Sequence, residues 1–192
     1  ELKIKTGRDY PQCNPKFALL DPTYTYSVPK KQMVSGGFDI LSHIMEIYFS
    51  EPNEDNVSDD ISEALMRSAI RNLRAAIQNP QDYTARSNLM WAATMAENRV
   101  IKLGKRMDFE CHQMEHQLGA YTNCNHGEEL AVLFITAIFT NTACRNSNGL
   151  QPRLWEFRQR PKRTKKSPLQ VLRLWKISLS KSDCLYLCRT WA

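Results

Sequence analysis

Glycine is scarce in this chain, and its few glycines are not arranged as a phosphate-binding loop. The 192 residues include seven glycines, and neither a G-x-G-x-x-G nor a P-loop pattern occurs. Such patterns bring backbone N–H groups close to the phosphates of a nucleotide. The pair Gly36-Gly37 is too short to do the same. We therefore assign no residue of this chain to the binding of a nucleotide cofactor.

Long apolar runs and a signal sequence are also lacking. No stretch approaches the ~18 consecutive apolar residues that a membrane-spanning helix needs. The chain opens on Glu1, without a basic and then apolar leader. Hydrophobic residues at 42% and charged residues at 24% are ordinary values for a globular protein. We predict a soluble, cytoplasmic protein with no membrane partner, whose N-terminus was produced by a cut.

Cys-x2-Cys pairs, which mark many structural zinc sites, do not occur. Because no secretion signal accompanies the six cysteines, we expect reduced thiols rather than a disulfide framework. A zinc knuckle built on Cys111 and Cys124 is the alternative, since both flank a group of histidines. The six positions are Cys13, Cys111, Cys124, Cys144, Cys184 and Cys188.

Basic residues are concentrated near the end of the chain. The net charge is +6 overall, but residues 142–192 hold 12 Lys+Arg against only Glu156 and Asp183, a net charge of +10. Three of the four tryptophans lie in the same stretch. We place a boundary near residue 134 and predict that residues 134–192 form a basic, Trp-rich and poorly ordered tail.

The residues before this boundary predict helices and no strands. Residues 1–30 are irregular and interrupted by prolines, and residues 31–133 show helical spacing of apolar residues with caps and breakers between them. The fold class is therefore all-α. Five helices are predicted: from about Lys31 to Phe49, from Ser58 as N-cap to Asn79-Pro80, from Asp82 as N-cap to Gly104, from Asp108 as N-cap to Gly119, and from His126 to Leu133.

All four histidines fall on these predicted helices. Asp39 precedes His43 by four residues, as His112 precedes His116, and His126 opens the last helix. Residues at i and i+4 share one helix face, with Cβ atoms roughly 5–6 Å apart. One carboxylate with two or three imidazoles suits Fe(II) or Zn(II). We predict a metal site between helices, although hydrogen-bonded or surface histidines remain the alternative and the spacing does not name a reaction.

Several segments resemble the iron-containing (group III) alcohol dehydrogenases, particularly the butanol-dehydrogenase branch. The resemblance covers about residues 1–133 in unbroken order. The segments are NPKFALLDP at Asn14–Pro22, GGFDILSHIMEIYF at Gly36–Phe49, ARSNLMWAATMAEN at Ala85–Asn98 and HQMEHQLGAYTNCNHG at His112–Gly127.

This resemblance implies the architecture. Residues 31–133 would be the metal-binding helical bundle of the iron-containing alcohol dehydrogenase or dehydroquinate synthase-like fold. Residues 1–30 would be a linker from the N-terminal α/β dinucleotide-binding domain, which the chain lacks. The chain is thus expected to be a truncated fragment, and intact family members are expected to be homo-oligomers.

The resemblance also implies the chemistry of the site. Asp39, His43, His112 and His126 would bind Fe(II) or Zn(II), and His116 would lie beside the reacting carbon and the nicotinamide. The reaction would be hydride transfer between NAD(P)H and a small aldehyde or primary alcohol, and the fragment alone is expected to be inactive. A noncatalytic metal-binding helical module is the alternative.

Three carboxylates lie near the expected metal ligands in the sequence. Glu46 lies one turn from His43 and would either orient its ring or be a solvated helix residue. Glu128 and Glu129 follow His126-Gly127, where the family usually has small residues. Beside a metal pocket, these two carboxylates would compete with the substrate.

The basic tail allows a further alternative, a polyanion binder. Residues Arg158–Lys166 are rich in lysine and arginine and could hold phosphates by releasing counterions. We expect incidental attraction to polyanions there and no specific nucleic-acid partner.

We predict instead that the tail follows a frameshift near Leu133–Ile135. Read two bases along, codons for Leu174–Leu185 can encode MEDFFIKIGLP, which resembles the end of the family sequence. Sequencing the encoding DNA is expected to show this continuation in the alternative frame. A DNA sequence without it would contradict the frameshift.

Overall fold

Helices make up nearly all of the regular structure. The computed structural model describes residues 3–8, 10–51 and 55–143, in which no strand occurs beyond one isolated bridge between Glu51 and Arg106. The all-α prediction is therefore confirmed for these residues. The α-helices are α1 (Lys30–Tyr48), α2 (Val57–Gln78), α3 (Tyr83–Glu97), α4 (Glu110–Thr122) and α5 (His126–Ala143), with short 3-10 helices at Pro11–Cys13 and Pro22–Thr25.

The start of α2 differs from the prediction by two residues. Asn56, not Ser58, is the N-cap, and its side chain accepts a hydrogen bond from the backbone N–H of Asp59 at 2.9 Å. The Ser58 hydroxyl instead donates to the carbonyl of Leu103 at 2.8 Å. Ser58 therefore ties α2 to the loop that follows α3, a tertiary contact that local capping rules do not include.

The end of α3 was predicted too far along the chain. Asp82 caps the helix as expected, accepting from the N–H of Ala85 at 3.0 Å. The helix ends at Glu97 rather than at Gly104, because Arg99 adopts a φ of 72°, which interrupts a right-handed helix. Gly104 has a φ of 75° and lies in the turns that follow.

The limits of α4 also differ from the prediction. Its N-cap position is Phe109, although the Asp108 carboxylate accepts from the N–H of Glu110 at 3.3 Å. Gly119 does not end the helix. The helix ends at Thr122. Asn123 follows it in the left-handed conformation, with a φ of 56°, and its backbone N–H donates to the carbonyl of Gly119 in the last turn.

The last helix runs through the predicted boundary near residue 134. It continues past Leu133 to Ala143, and Phe134 is buried against Phe38 with ring centroids 6.2 Å apart. The predicted end of the helix at Leu133 is therefore wrong, while the division of the chain at 134 stays a prediction. Residues 144–192 of the tail lie outside the described residues.

Helix α1 is the central element of the bundle. It packs against α2, α3 and α5, and its apolar residues enter all three parts of the core. Ile44 and Ile47 are fully buried, which is worth about 1.5–3 kcal/mol for each side chain. No helix among the described residues is long and apolar enough to cross a membrane. Cys13, Cys111 and Cys124 are free thiols.

The beginning of α5 lies unusually close to the first turns of α1. A Cβ atom on Gly127 would overlap with the carbonyl oxygen of Ser35, so only glycine fits. Asn125 fixes the same approach, because it receives a hydrogen bond from the Ser35 hydroxyl and donates to Gln32 at 2.6 Å. This contact places His126 next to the face of α1.

Gly127→Ala should therefore be strongly destabilising. The added methyl group forces α5 away from α1, and we expect a loss of about 1–3 kcal/mol or more in the free energy of unfolding. Gly36→Ala is the matched control: its Cβ meets nothing within 4 Å, so the gain in helix propensity should stabilise by about 0.5–1 kcal/mol. Urea denaturation measures both. Equal stability of the two variants would contradict the close approach.

Candidate metal centre

Three of the predicted ligands converge from three different helices. Asp39 comes from α1, His112 from α4 and His126 from the start of α5. The Asp39 Oδ1 atom lies 3.6 Å from His112 Nε2 and 3.5 Å from His126 Nε2, and all three ligand atoms are within 4.8 Å of one another. Atoms that bind one ion at about 2.0–2.2 Å are separated by about 3–4 Å. The spacing therefore fits a single divalent ion.

Two of these ligand atoms are buried without a well-directed hydrogen bond among the described residues. They are Asp39 Oδ1 and His112 Nε2. Leaving such atoms unsatisfied is costly, by about 1–3 kcal/mol each. A cation between them would satisfy both at once, and one carboxylate with two imidazoles is a donor set that Fe(II) and Zn(II) accept. The residues present thus fit a metal ion.

The orientation of His112 depends on Glu46. Its Oε1 atom lies 3.0 Å from His112 Nδ1 and also accepts from the backbone N–H of His112 at 2.9 Å. Because Nδ1 is held by the carboxylate, Nε2 faces the centre. Both expectations for Glu46, orienting His43 or being solvated, were wrong. Glu46 is buried, and it satisfies a free N–H in the first turn of α4, which the spacing within α1 does not indicate.

The orientation of His126 depends on Glu115 in the same way. The Glu115 Oε2 atom lies 2.5 Å from His126 Nδ1, which leaves Nε2 directed at Asp39. Lys5 approaches both groups, with its Nζ atom 2.5 Å from Glu115 Oε1 and 3.3 Å from His126 Nδ1. Sequence reasoning missed this pair. The position of Glu115 between two histidines could have indicated its contact with an imidazole, whereas nothing in the sequence around Lys5 indicates one.

Glu128 and Glu129 point to different surroundings. Glu128 forms an ion pair with Lys31 at 3.5 Å, at the edge of the bundle. Glu129 is buried and accepts a hydrogen bond from the Thr122 hydroxyl. Burial and the nearby carboxylate of Glu115 raise the pKa of Glu129. The residue therefore lies behind the centre, next to the carboxylate that holds His126.

The charges at the centre stabilise one another. Burial alone would raise the pKa of Asp39, but contacts with His112 and His43 outweigh it and hold that pKa well below its usual range. Burial likewise opposes the charged form of His43. Its contacts with Asp39 and Glu97 overcome this effect and raise the pKa of His43 to about 10. The carboxylate of Asp39 is thus ionised and surrounded by imidazoles.

His43 and His116 lie beside the three converging residues. The His43 ring centroid is 4.1 Å from that of His112. Its Nδ1 atom lies 2.9 Å from the Asp39 carbonyl oxygen and 3.2 Å from Asp39 Oδ1, and its Nε2 atom lies 2.9 Å from Glu97 Oε1. The His116 ring centroid is 6.0 Å from that of His126. The structure thus brings Asp39, His112 and His126 together and leaves His43 and His116 adjacent. The roles predicted for all five residues stay predictions.

A bundle that holds one carboxylate and two imidazoles from separate helices, with carboxylates behind the rings, is a metalloenzyme-like centre. Residues 33–166 match the Fe-containing alcohol dehydrogenase family, C-terminal. This chain belongs to that family, and the resemblance read from the sequence is confirmed.

Individual relatives agree with the family. NADH-dependent butanol dehydrogenase A of Clostridium acetobutylicum is 45% identical over 133 residues, which are 69% of this chain and 34% of the relative. NADPH-dependent aldehyde reductase YqhD of Escherichia coli is 32% identical over 170 residues, covering 88% of this chain and 39% of the relative. The crystal structure of NADH-dependent butanol dehydrogenase A from Thermotoga maritima superimposes with a TM-score of 0.75 at 29% identity, covering 91% of this chain and 43% of that one.

The chain spans about a third of the length of the butanol dehydrogenases that it matches. The shares are 34% and 32% for butanol dehydrogenases A and B of Clostridium acetobutylicum. The activity, substrates and partners of a whole enzyme are therefore matters for proposal.

Glu46→Gln should weaken binding of Zn(II) by about 10-fold or more, because residues that orient a ligating histidine typically contribute 10–100-fold to affinity. Glu110→Gln is the matched control, since it removes an exposed carboxylate two residues before His112 in the sequence. Competition with a chromophoric chelator measures both. Equal affinities for the two variants would show that Glu46 does not position His112 for a metal.

Proposed function

We propose that this chain is the metal-binding part of an alcohol dehydrogenase or aldehyde reductase. The reaction is hydride transfer between NAD(P)H and a small aldehyde or primary alcohol, and the chain alone is inactive. One observation carries the proposal: the ligand atoms of Asp39, His112 and His126 converge, in a chain that belongs to the Fe-containing alcohol dehydrogenase family. The names of the relatives, butanol dehydrogenases and an aldehyde reductase, support the substrate class.

The residues divide into ligands and residues that orient them. Asp39, His43, His112 and His126 hold Fe(II) or Zn(II). When bound, such an ion polarises a carbonyl oxygen or lowers the pKa of an alcohol. The buried contacts of the rings with carboxylates keep the imidazoles in place, so little reorganisation is needed when a ligand arrives.

His116 lies beside the site rather than in it. Its side chain is partly exposed and 3.9 Å from Glu115 Oε2, at the edge of the cluster. Burial, together with the positive charge of Lys5, lowers the pKa of His116, although Glu115 opposes this shift. A neutral imidazole at this edge can exchange a proton with an alcohol oxygen. We assign it a place next to the reacting carbon and the nicotinamide.

The hydride donor requires more than this chain. We assign no residue here to NAD(P)H, and we propose that a dinucleotide-binding domain of the intact enzyme supplies it. The names of the relatives include both NADH-dependent and NADPH-dependent enzymes, so either cofactor is compatible. An intact enzyme of this kind is expected to be a cytoplasmic homo-oligomer.

A noncatalytic metal-binding module is the second candidate. It is favoured by the position of the His43 ring, 4.1 Å from that of His112, because a fourth protein ligand could close the coordination shell. Closed four-ligand shells are typical of structural zinc sites, whereas catalytic sites keep a position for water or substrate.

Metal loading tests the proposal. The purified chain, kept anaerobic, should bind one equivalent of Fe(II) or Zn(II), and Asp39→Asn and His126→Ala should each lose it. Asp108→Asn is the control, because it removes an exposed carboxylate close to His112 in the sequence. The loaded chain alone should not oxidise NADH with butanal. Absence of stoichiometric binding, or equal binding by all variants, would contradict the proposal.

A further inference from the structure

Three carboxylates contact the imidazoles of the centre, and they do so in two different ways. Glu46 and Glu115 each contact an Nδ1 atom, of His112 and His126, and so leave Nε2 of those rings directed at the centre. Glu97 instead contacts Nε2 of His43, with its Oε1 atom at 2.9 Å. Two of the carboxylates therefore present a ring to a metal, and the third occupies the atom that a metal would need.

The other nitrogen of His43 is not available either. Its Nδ1 atom lies 2.9 Å from the carbonyl oxygen of Asp39, one turn back along α1, and 3.2 Å from Oδ1 of the same residue. A carbonyl oxygen only accepts hydrogen bonds, so this nitrogen carries a hydrogen and has no lone pair for a metal. Nε2 is thus the only atom of His43 that could bind the ion. It is the atom that Glu97 covers.

The contact between Glu97 and His43 can break at low cost. Glu97 is the last residue of α3, and its side chain is 55% exposed, so it can turn into water without leaving a buried charge. Glu46 and Glu115 are buried and cannot leave at such low cost. Besides His43, Glu97 has one weak ion pair among the described residues: its Oε2 atom lies 3.9 Å from Lys102, whose ammonium group is 4.9 Å from the Phe109 ring centroid.

The other three predicted ligands come together without a contribution from His43. Asp39, His112 and His126 converge while His43 is engaged with Glu97. The His43 ring nevertheless stays beside them, 4.1 Å from the His112 ring centroid and with Nδ1 3.2 Å from Asp39 Oδ1. We propose that Glu97 competes with the metal ion for His43. The ion is then bound first by Asp39, His112 and His126, and His43 joins when the Glu97 contact breaks. This inference rests on the proposed metal site and adds a residue that determines its affinity.

Two consequences follow for the site. Without His43, a bound ion would have the three protein ligands Asp39, His112 and His126, and the position that His43 would take would stay open to water or a substrate oxygen. In addition, the chain binds metal less tightly than its four potential ligands would allow, because the energy of the His43–Glu97 contact is lost on closure. Removal of Glu97 should therefore tighten binding.

The affinity for Zn(II) tests this competition. Glu97→Ala should bind Zn(II) about threefold to tenfold more tightly than the natural chain, the range expected for a partly exposed charged hydrogen bond. In a His43→Ala background the same substitution should give no tightening, because the shared atom is gone. Glu110→Ala, which removes an exposed carboxylate without a contact to a histidine ring, should leave affinity unchanged.

The metal-free protein provides a second readout. The ring nitrogen resonances of His43, observed by 15N NMR, should change in Glu97→Ala and not in Glu110→Ala, while circular dichroism confirms that both variants fold. Unchanged His43 resonances would overturn the inference. So would weaker Zn(II) binding by Glu97→Ala, which would make Glu97 a ligand, or tightening that persists without His43.

These outcomes separate the inference from the proposed function. Loss of Zn(II) binding in His112→Ala tests the metal site itself, because His112 has no contact with Glu97 that the competition requires. A chain that binds Zn(II) through His112, but is indifferent to Glu97, keeps the proposed function and loses the inference. A chain in which neither the natural form nor Glu97→Ala binds Zn(II) loses both.

Discussion

The close approach of α5 to α1 is the constraint on which the metal centre depends. Gly127 lies against the carbonyl oxygen of Ser35 with no room for a Cβ atom, and this contact sets where His126 stands relative to Asp39. A shift of about 1 Å is enough to spoil the positioning of a site. The hydrogen bonds of Asn125 to Ser35 and Gln32 hold the same junction.

Charge is the second organising feature of the centre. Buried carboxylates are costly unless they are paired and hydrogen-bonded, and here the pairs also orient the rings: Glu46 with His112, and Glu115 with His126 and Lys5. The stabilisation of the fold and the preparation of the site are therefore achieved by the same contacts. Glu97 differs because its side chain is half exposed, so that turning it into water leaves no buried charge.

Much of the fold followed from local patterns, and much of the site did not. Five helices, the cap at Asp82 and the convergence of Asp39, His112 and His126 could be predicted, since helical spacing places residues on a face. The predicted N-cap of α2 and the predicted partner of Glu46 were wrong, because both depend on contacts between helices. The sequence did not indicate that Glu97 and Lys5 contact the histidines, because spacing within one helix does not show which neighbouring element supplies a charge.

X-ray absorption spectroscopy of the chain loaded with Zn(II) tests the central claim most directly, since it reports which atoms surround the ion. A centre built from Asp39, His112 and His126 predicts only nitrogen and oxygen neighbours, at about 2.0–2.2 Å, with the outer-shell scattering of at least two imidazoles. Sulfur neighbours at about 2.3 Å would indicate a knuckle of Cys111 and Cys124 instead. That result would contradict the account.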